Sequence, residues 1–234
     1  MNKQLPLNIQ LPEGISFNNF YPGANEEAVH AVEHCLHDAN ESLVYLWGAN
    51  GTGKSHLLQA ACHRVAEQGG ATAYIPLAQY QDFTIDILQG LEVMTLVCID
   101  DAQMIAGESV WEQALFHCFN RLRDSGKSLI ISADKNPASL TVGLQDLKSR
   151  LAWGVVVQMH TLTDAQKLSA LQLRAQQRGF DFPDEVGRYL LSRYPRDMHA
   201  LFSLLESLDQ ATLVQKRKLT VPFVKAFIQA NPMK

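Results

Sequence analysis

The sequence predicts an α/β protein in which a parallel five-stranded sheet carries a phosphate-binding loop and is followed by a small all-α domain. Three observations predict it. Five apolar runs of strand length, at 43–47, 71–75, 95–99, 129–132 and 155–157, alternate with longer stretches of helical or turn character. That alternation builds a parallel sheet covered on both faces. The first run hands over to GANGTGKS, Gly48 to Ser55, which opens an apolar-periodic segment at His56. From Leu162 onward only helical periodicity remains. The expected divisions are an extended tail over 1–15, a nucleotide-binding domain over 16–160 and a helical domain over 161–234.

Composition excludes several function classes. With 47% hydrophobic and 19% charged residues the chain is an ordinary globular protein, and its net charge of -4 supplies no basic field for nucleic acid or anionic membrane. Any link to DNA is therefore expected to be indirect. Cys35, Cys62, Cys98 and Cys118 are widely spaced and form no C-x-x-C pair, which favours buried thiols over zinc or disulfides. No signal peptide is evident, and no apolar run approaches the ~18 residues of a membrane span. A cytoplasmic location is expected.

Each element has a local reason. Pro6 and Pro12 force Leu5 and Leu11 out of the helical region, so the first residues run extended, with Leu5, Leu7 and Ile9 on one side. Asn25 is an expected N-cap for a helix to about Asp38, with Glu26 and Glu27 in its first turn. A helix is expected from about Gln79 to Gln89, another from Ser109 to Asp124, and a short one over 146–151. In the last third, Thr163 caps a helix to about Gln177, Pro183 opens a second, Asp197 a third to about Leu208, and Thr220 with Pro222 a fourth ending near Ala230.

The chemistry centres on the glycine-rich loop, a G-x4-G-K-[ST] pattern. Gly51 and Gly53 let backbone N–H groups approach phosphate oxygens, Lys54 reaches the β and γ phosphates, and the Ser55 hydroxyl can ligate Mg²⁺ at a helix N-terminus. For average composition the pattern arises by chance on the order of once in a hundred chains of this length. The alternative, a glycine turn with a surface lysine, does not account for the flanking strand and helix. The run 95–99 ends at Asp100-Asp101, where parallel sheets bind ligands. Asp100 can hold Mg²⁺ and Asp101 can orient a hydrolytic water. Ser132 and Asp134 end the next strand and are candidates for sensing the γ-phosphate. Read alone, Arg150 is a surface arginine on a short helix.

Taken together, FNNFYPGAN, VCIDDAQMIAG, LKSRLAWG, LQLRAQQRGFDFPDEVGRYL and RDMHALF resemble the AAA+ family, and within it the initiator clade that contains DnaA. The resemblance covers the chain from about Ser16 and implies a P-loop AAA+ domain followed by a helical lid. It implies nucleotide contacts from Gly48, Asn50, Gly51, Thr52, Gly53, Lys54, Ser55 and His56, with Phe20 beside them. ADP or ATP is expected, though another nucleoside diphosphate satisfies the same nest, with Mg²⁺ on Ser55 and Asp100. Asp101, Asp134 and Arg150 become the expected catalytic residues, Arg150 as an arginine finger acting on a neighbour.

The chain departs from the clade at both ends and in the lid. It is expected to end at the lid, without the initiators' DNA-binding helix-turn-helix domain, and its front end reads QLPLNI, similar to motifs that enter the hydrophobic pocket of the β sliding clamp. The resemblance therefore implies a negative regulator of replication initiation, bound to the clamp through Gln4, Leu5 and Leu7. It would stimulate hydrolysis of DnaA-bound ATP, with DNA reached only through the clamp. The clade's usual lid arginine falls on His199, with Arg196 one turn earlier, and an imidazole is the weaker phosphate partner. A helicase loader driven by its own hydrolysis is the alternative class. Both a homodimer and a nucleotide-controlled monomer are compatible with AAA+ surfaces, and no membrane contact is expected.

Overall fold

The computed structural model describes residues 14–37 and 42–231, which form two compact units divided between His160 and Thr161. The tail residues Gln4, Leu5 and Leu7 lie outside the described residues.

In the first unit, α1 (Glu26–Cys35) precedes β1 (Leu43–Trp47), and α2 (Lys54–Glu67) follows it. Then come β2 (Thr72–Pro76), β3 (Leu96–Asp100), α3 (Ser109–Asp124), β4 (Ser128–Ala133), α4 (Gln145–Leu151) and β5 (Val155–Gln158). All strand pairs are parallel, in the order β2-β3-β4-β1-β5. The strands bury both faces. Leu43 and Tyr45 of β1 join one apolar cluster with α3 and α4, while Val44 and Leu46 join the other with α1 and α2. This period of two decides where the chemistry goes, because Asp100 shares the parity of Leu96 and Cys98, which lie in the α2 cluster. Ser132 likewise shares the parity of Ile130.

Two expectations are corrected. The segment expected as a helix over 79–89 consists of 3₁₀ turns, Leu77–Asp82 and Ile85–Leu88, with another at Leu91–Val93. Leu77, Tyr80 and Phe83 recur every three residues and all meet the core, and in a 3₁₀ turn side chains three apart eclipse. Asn25 precedes α1 but makes no cap hydrogen bond with its side chain. Instead its amide donates to the His160 carbonyl (3.0 Å) and accepts from the His160 N–H (2.7 Å), pinning α1 to the end of β5.

The second unit contains α5 (Asp164–Gln177), α6 (Asp184–Arg193), α7 (Met198–Gln215) and α8 (Val221–Ala230). Three expected caps form, with Thr163, Asp197 and Thr220 accepting from the N–H of Gln166, Ala200 and Phe223. Leu171, Val186, Leu190, Leu201, Leu205 and Val224 make its core. α7 runs seven residues past Leu208, since Leu213 and Val214, though exposed, continue the helix. Among the described residues, no helix is long and apolar enough to cross a membrane.

Candidate functional site

The parallel register brings three strand ends together. Trp47 of β1 lies beside Ala133 of β4, and Ile131 of β4 beside Ile99 of β3. At about 4.8 Å between strands, the carboxylates after β3 and β4 stand within roughly 10 Å of the loop that leaves β1. Gly48 continues the ladder by donating to the Ala133 carbonyl (3.2 Å).

The loop has the conformation its glycines permit. Gly51 and Gly53 have φ of 78° and 96°. Gly53 is required twice over, because a Cβ there would also come within 2.6 Å of Cε2 of Phe20. A Cβ on Gly48 would strike the Met159 carbonyl oxygen. Thr52 is buried and donates to the Ala49 carbonyl (2.9 Å), closing the loop on itself. Lys54 is 5% exposed, and its ammonium donates to the carbonyls of Gly48 (2.8 Å) and Ala49 (3.0 Å). Burial lowers its pKa from the ordinary 10.5, against the opposing pull of Asp101, Asp100 and Asp134. Ser55 and His56 lie in the first turn of α2. The His56 ring packs on Phe20 (5.3 Å between centroids), and its Nε2 is 3.1 Å from the Ser16 carbonyl. Ser16–Phe20 thus walls one side of the loop.

Opposite the loop, the acidic groups are held by residues that sequence reasoning did not all find. The Asp100 carboxylate is 2% exposed and accepts from the hydroxyls of Ser132 and Tyr74, the latter at 2.6 Å. Burial first, then the Asp100 charge, raises the Tyr74 pKa well above its ordinary value. Burial and Asp134 do the same to Tyr45, whose hydroxyl donates to the Lys135 carbonyl (2.9 Å). Asp101 has a left-handed φ of 59°, with its N–H donating to Ser132 Oγ (3.0 Å). Gln103 bridges two sites, since its amide donates to Asp101 Oδ1 (2.9 Å) and accepts from the Asp134 N–H (3.1 Å). Asp134 Oδ1 is buried without a hydrogen-bond partner among the described residues. A left-handed loop, a buried ammonium and an orphaned carboxylate oxygen fit a phosphate group with its cation.

Arg150 is not part of this cluster. It lies in the last turn of α4, and its guanidinium lies over the Trp153 ring, 5.6 Å from the centroid, with Arg123 at 5.4 Å from the same ring. Gly154 abuts Leu43 at the start of β1, where a Cβ would strike the Leu43 carbonyl. The phosphate loop leaves the other end of β1, four residue steps or roughly 13 Å further on. Arg150 also lines an open cavity of about 600 Å³ with Phe116, Asp146, Ser149 and Trp153.

In the second unit His199 is exposed in the first turn of α7. Arg196 is paired with Asp164 (3.3 Å), and its carbonyl accepts from Lys167 (2.9 Å).

A family model described as the bacterial DnaA ATPase domain matches residues 11–158. The chain belongs to the bacterial DnaA ATPase-domain family. A second family model, described as the Hda lid domain, matches residues 164–228, so the helical unit is DnaA-related and Hda-like. Among solved structures, domain III of the Thermotoga maritima replication initiation protein DnaA is similar with a TM-score of 0.81 at 22% identity, covering 94% of this chain and 98% of that one. AMPPCP-bound DnaA from Aquifex aeolicus gives 0.71 at 23% identity, over 84% of this chain and 66% of that one. The Thermotoga maritima RuvB branch migration motor gives 0.62 at 15% identity, over 89% of this chain and 70% of that one. These structural likenesses show the shared AAA+ fold.

Proposed function

We propose that this protein regulates replication initiation by presenting Arg150 to the ATP of a neighbouring DnaA molecule. The observation that carries the reading is the separation of Arg150 from the chain's own phosphate loop by the length of β1. An arginine at that edge of the sheet serves no phosphate in its own pocket, so its charge is available in trans. Such fingers accelerate phosphoryl transfer roughly a thousandfold or more in other NTPases. The DnaA ATPase and Hda lid matches support a reading in which DnaA is the neighbour and this chain acts as an Hda-like inactivator of it.

In this reading Gly48 to His56 hold the phosphates of ADP or ATP, with Phe20 alongside the loop. Ser55 and Asp100 hold Mg²⁺, which neutralises charge on the β and γ phosphates when bound. Asp134 senses the terminal phosphate. His199 and Arg196 are the two lid candidates for a phosphate contact, Arg196 being paired with Asp164. Own turnover is slow, since the Asp101 carboxylate is tied to Gln103. The bound nucleotide then acts as a conformational key, and the product of the encounter is ADP-bound DnaA. Gln4, Leu5 and Leu7 dock the β sliding clamp, which brings the protein to DNA.

The test is ATP hydrolysis by purified DnaA with this protein present, with and without DNA-loaded clamp. Stimulation that needs both nucleotide and clamp is expected. Equal DnaA turnover in the presence and absence of this protein would remove the reading.

A further inference from the structure

The Glu112 carboxylate is buried, 2% exposed, in the first turn of α3, and the phosphate site makes no use of it. A buried carboxylate is costly unless its oxygens are satisfied, so its partners indicate its purpose. One oxygen accepts from the N–H of Gly107 (2.7 Å) and of Gly143 (3.0 Å), and the other from the N–H of Leu144 (2.8 Å). Gly107 closes the segment that begins at Asp101, and Leu144 is the N-cap residue of α4.

Leu144 has no side-chain oxygen to cap α4, so Glu112 caps it from a different helix, and the negative charge suits the positive end of that helix. The segment between Asp101 and Gly107 is equally fixed. Asp101 is held by Ser132 and Gln103, while Ala102 and Ile105 are buried in the core. A single carboxylate therefore joins the segment facing the phosphate loop to the helix that carries Arg150 in its last turn. α4 has seven residues, roughly 10 Å of helix, so a shift at Leu144 carries to Arg150 as a shift of one short rod.

We propose that Glu112 is a positioning residue that couples the nucleotide state at Asp101 to the placement of Arg150. The inference rests on the arginine-finger reading of Arg150 and adds the route by which nucleotide controls it. Coupling through packed, hydrogen-bonded elements needs evidence of coupling rather than of contact. The test is therefore built on two readouts.

The first is hydrogen exchange of the whole protein with and without ADP. In the wild type, ADP is expected to slow exchange in both 101–107 and 143–151. In Glu112→Gln the side chain keeps one carbonyl oxygen for Gly107 and Gly143, but its amide opposes the Leu144 N–H. Slowing at 101–107 should persist there and slowing at 143–151 should vanish, with ADP affinity within about twofold of wild type. Leu144→Pro cuts the same bond from the other side, its φ of -81° being near that of proline, and should give the same pattern.

The second readout is stimulation of DnaA's ATPase, expected to fall at least tenfold in both variants. Arg150→Ala serves as the reference. If Arg150→Ala stimulates fully, the finger reading fails and the inference with it. If Arg150→Ala is inactive while both other variants stimulate as wild type, or if ADP still slows exchange at 143–151 in both, the coupling alone is overturned.

Discussion

Replacing Gly53 by alanine should damage the phosphate loop through two separable effects. The backbone φ of 96° is one that an alanine adopts at a cost of about 1–2 kcal/mol. The new methyl group would also lie 2.6 Å from Cε2 of Phe20, an overpacking worth about 1–3 kcal/mol. Together these give a loss of about 2–5 kcal/mol, measurable as a fall in the urea midpoint of the nucleotide-free protein. Gly90 supplies the control, because its φ is 70° and a Cβ there meets nothing within 4 Å, so Gly90→Ala should cost only the backbone share. Combining Gly53→Ala with Phe20→Ala in a double-mutant cycle should recover the crowding share as a coupling energy. ADP affinity should fall in Gly53→Ala and not in Gly90→Ala. If Gly53→Ala proves no costlier than Gly90→Ala and shows no coupling to Phe20, the account of how Phe20 and the loop share space is wrong.

Three further outcomes are expected. Asn25→Ala removes two hydrogen bonds to His160 and should destabilise the first unit by about 1–3 kcal/mol in urea unfolding; retained stability would mean that α1 is held otherwise. Tyr74 has a pKa raised from 10.0, so above pH 10 the unfolded chain releases that proton before the folded one, and stability falls as pH rises. Tyr74→Phe should remove up to about 1.4 kcal/mol per pH unit from that slope, and an unchanged slope in alkaline unfolding would contradict the Asp100–Tyr74 arrangement. Leu5→Ala with Leu7→Ala should abolish retention on immobilised β clamp while leaving ADP binding intact, and undiminished retention would exclude the tail as the clamp contact.

Much of the fold was legible because its signals are local. The strands are continuous apolar runs, the phosphate loop carries its own glycines, and Thr163, Asp197 and Thr220 cap helices three residues away. Where reading failed, a tertiary partner outbid a local one. Asn25 sits before α1 like a cap, but its amide is taken by a backbone 135 residues distant. The 77–93 region contains enough apolar residues for a helix, yet their spacing of three and the β-branched Thr84, Ile85 and Ile87 favour short turns packed on the core.

The candidate site divides in the same way. Lys54 was readable as a candidate from the motif, and Asp100 and Ser132 from their places at strand ends. Tyr74 and Gln103, and Glu112 outside the site, were not, because each has a defining partner 26 to 32 residues away, Asp100, Asp134 and Leu144 respectively. A polar residue on an otherwise apolar helix face, as Glu112 is beside Trp111 and Leu115, was one available hint. Asp101 offered another, since aspartate is among the few residues that tolerate the left-handed region.

Arg150 is proposed to act on a neighbour's ATP rather than on nucleotide in its own pocket. The most direct measurement is single-turnover hydrolysis of ATP pre-bound to DnaA, mixed with DNA-loaded clamp and either wild-type protein or Arg150→Ala. Arg150→Ala is expected to bind ADP and clamp as the wild type does and to leave DnaA at its unstimulated rate. Wild-type stimulation by Arg150→Ala, or a loss of its own ADP affinity, would contradict it.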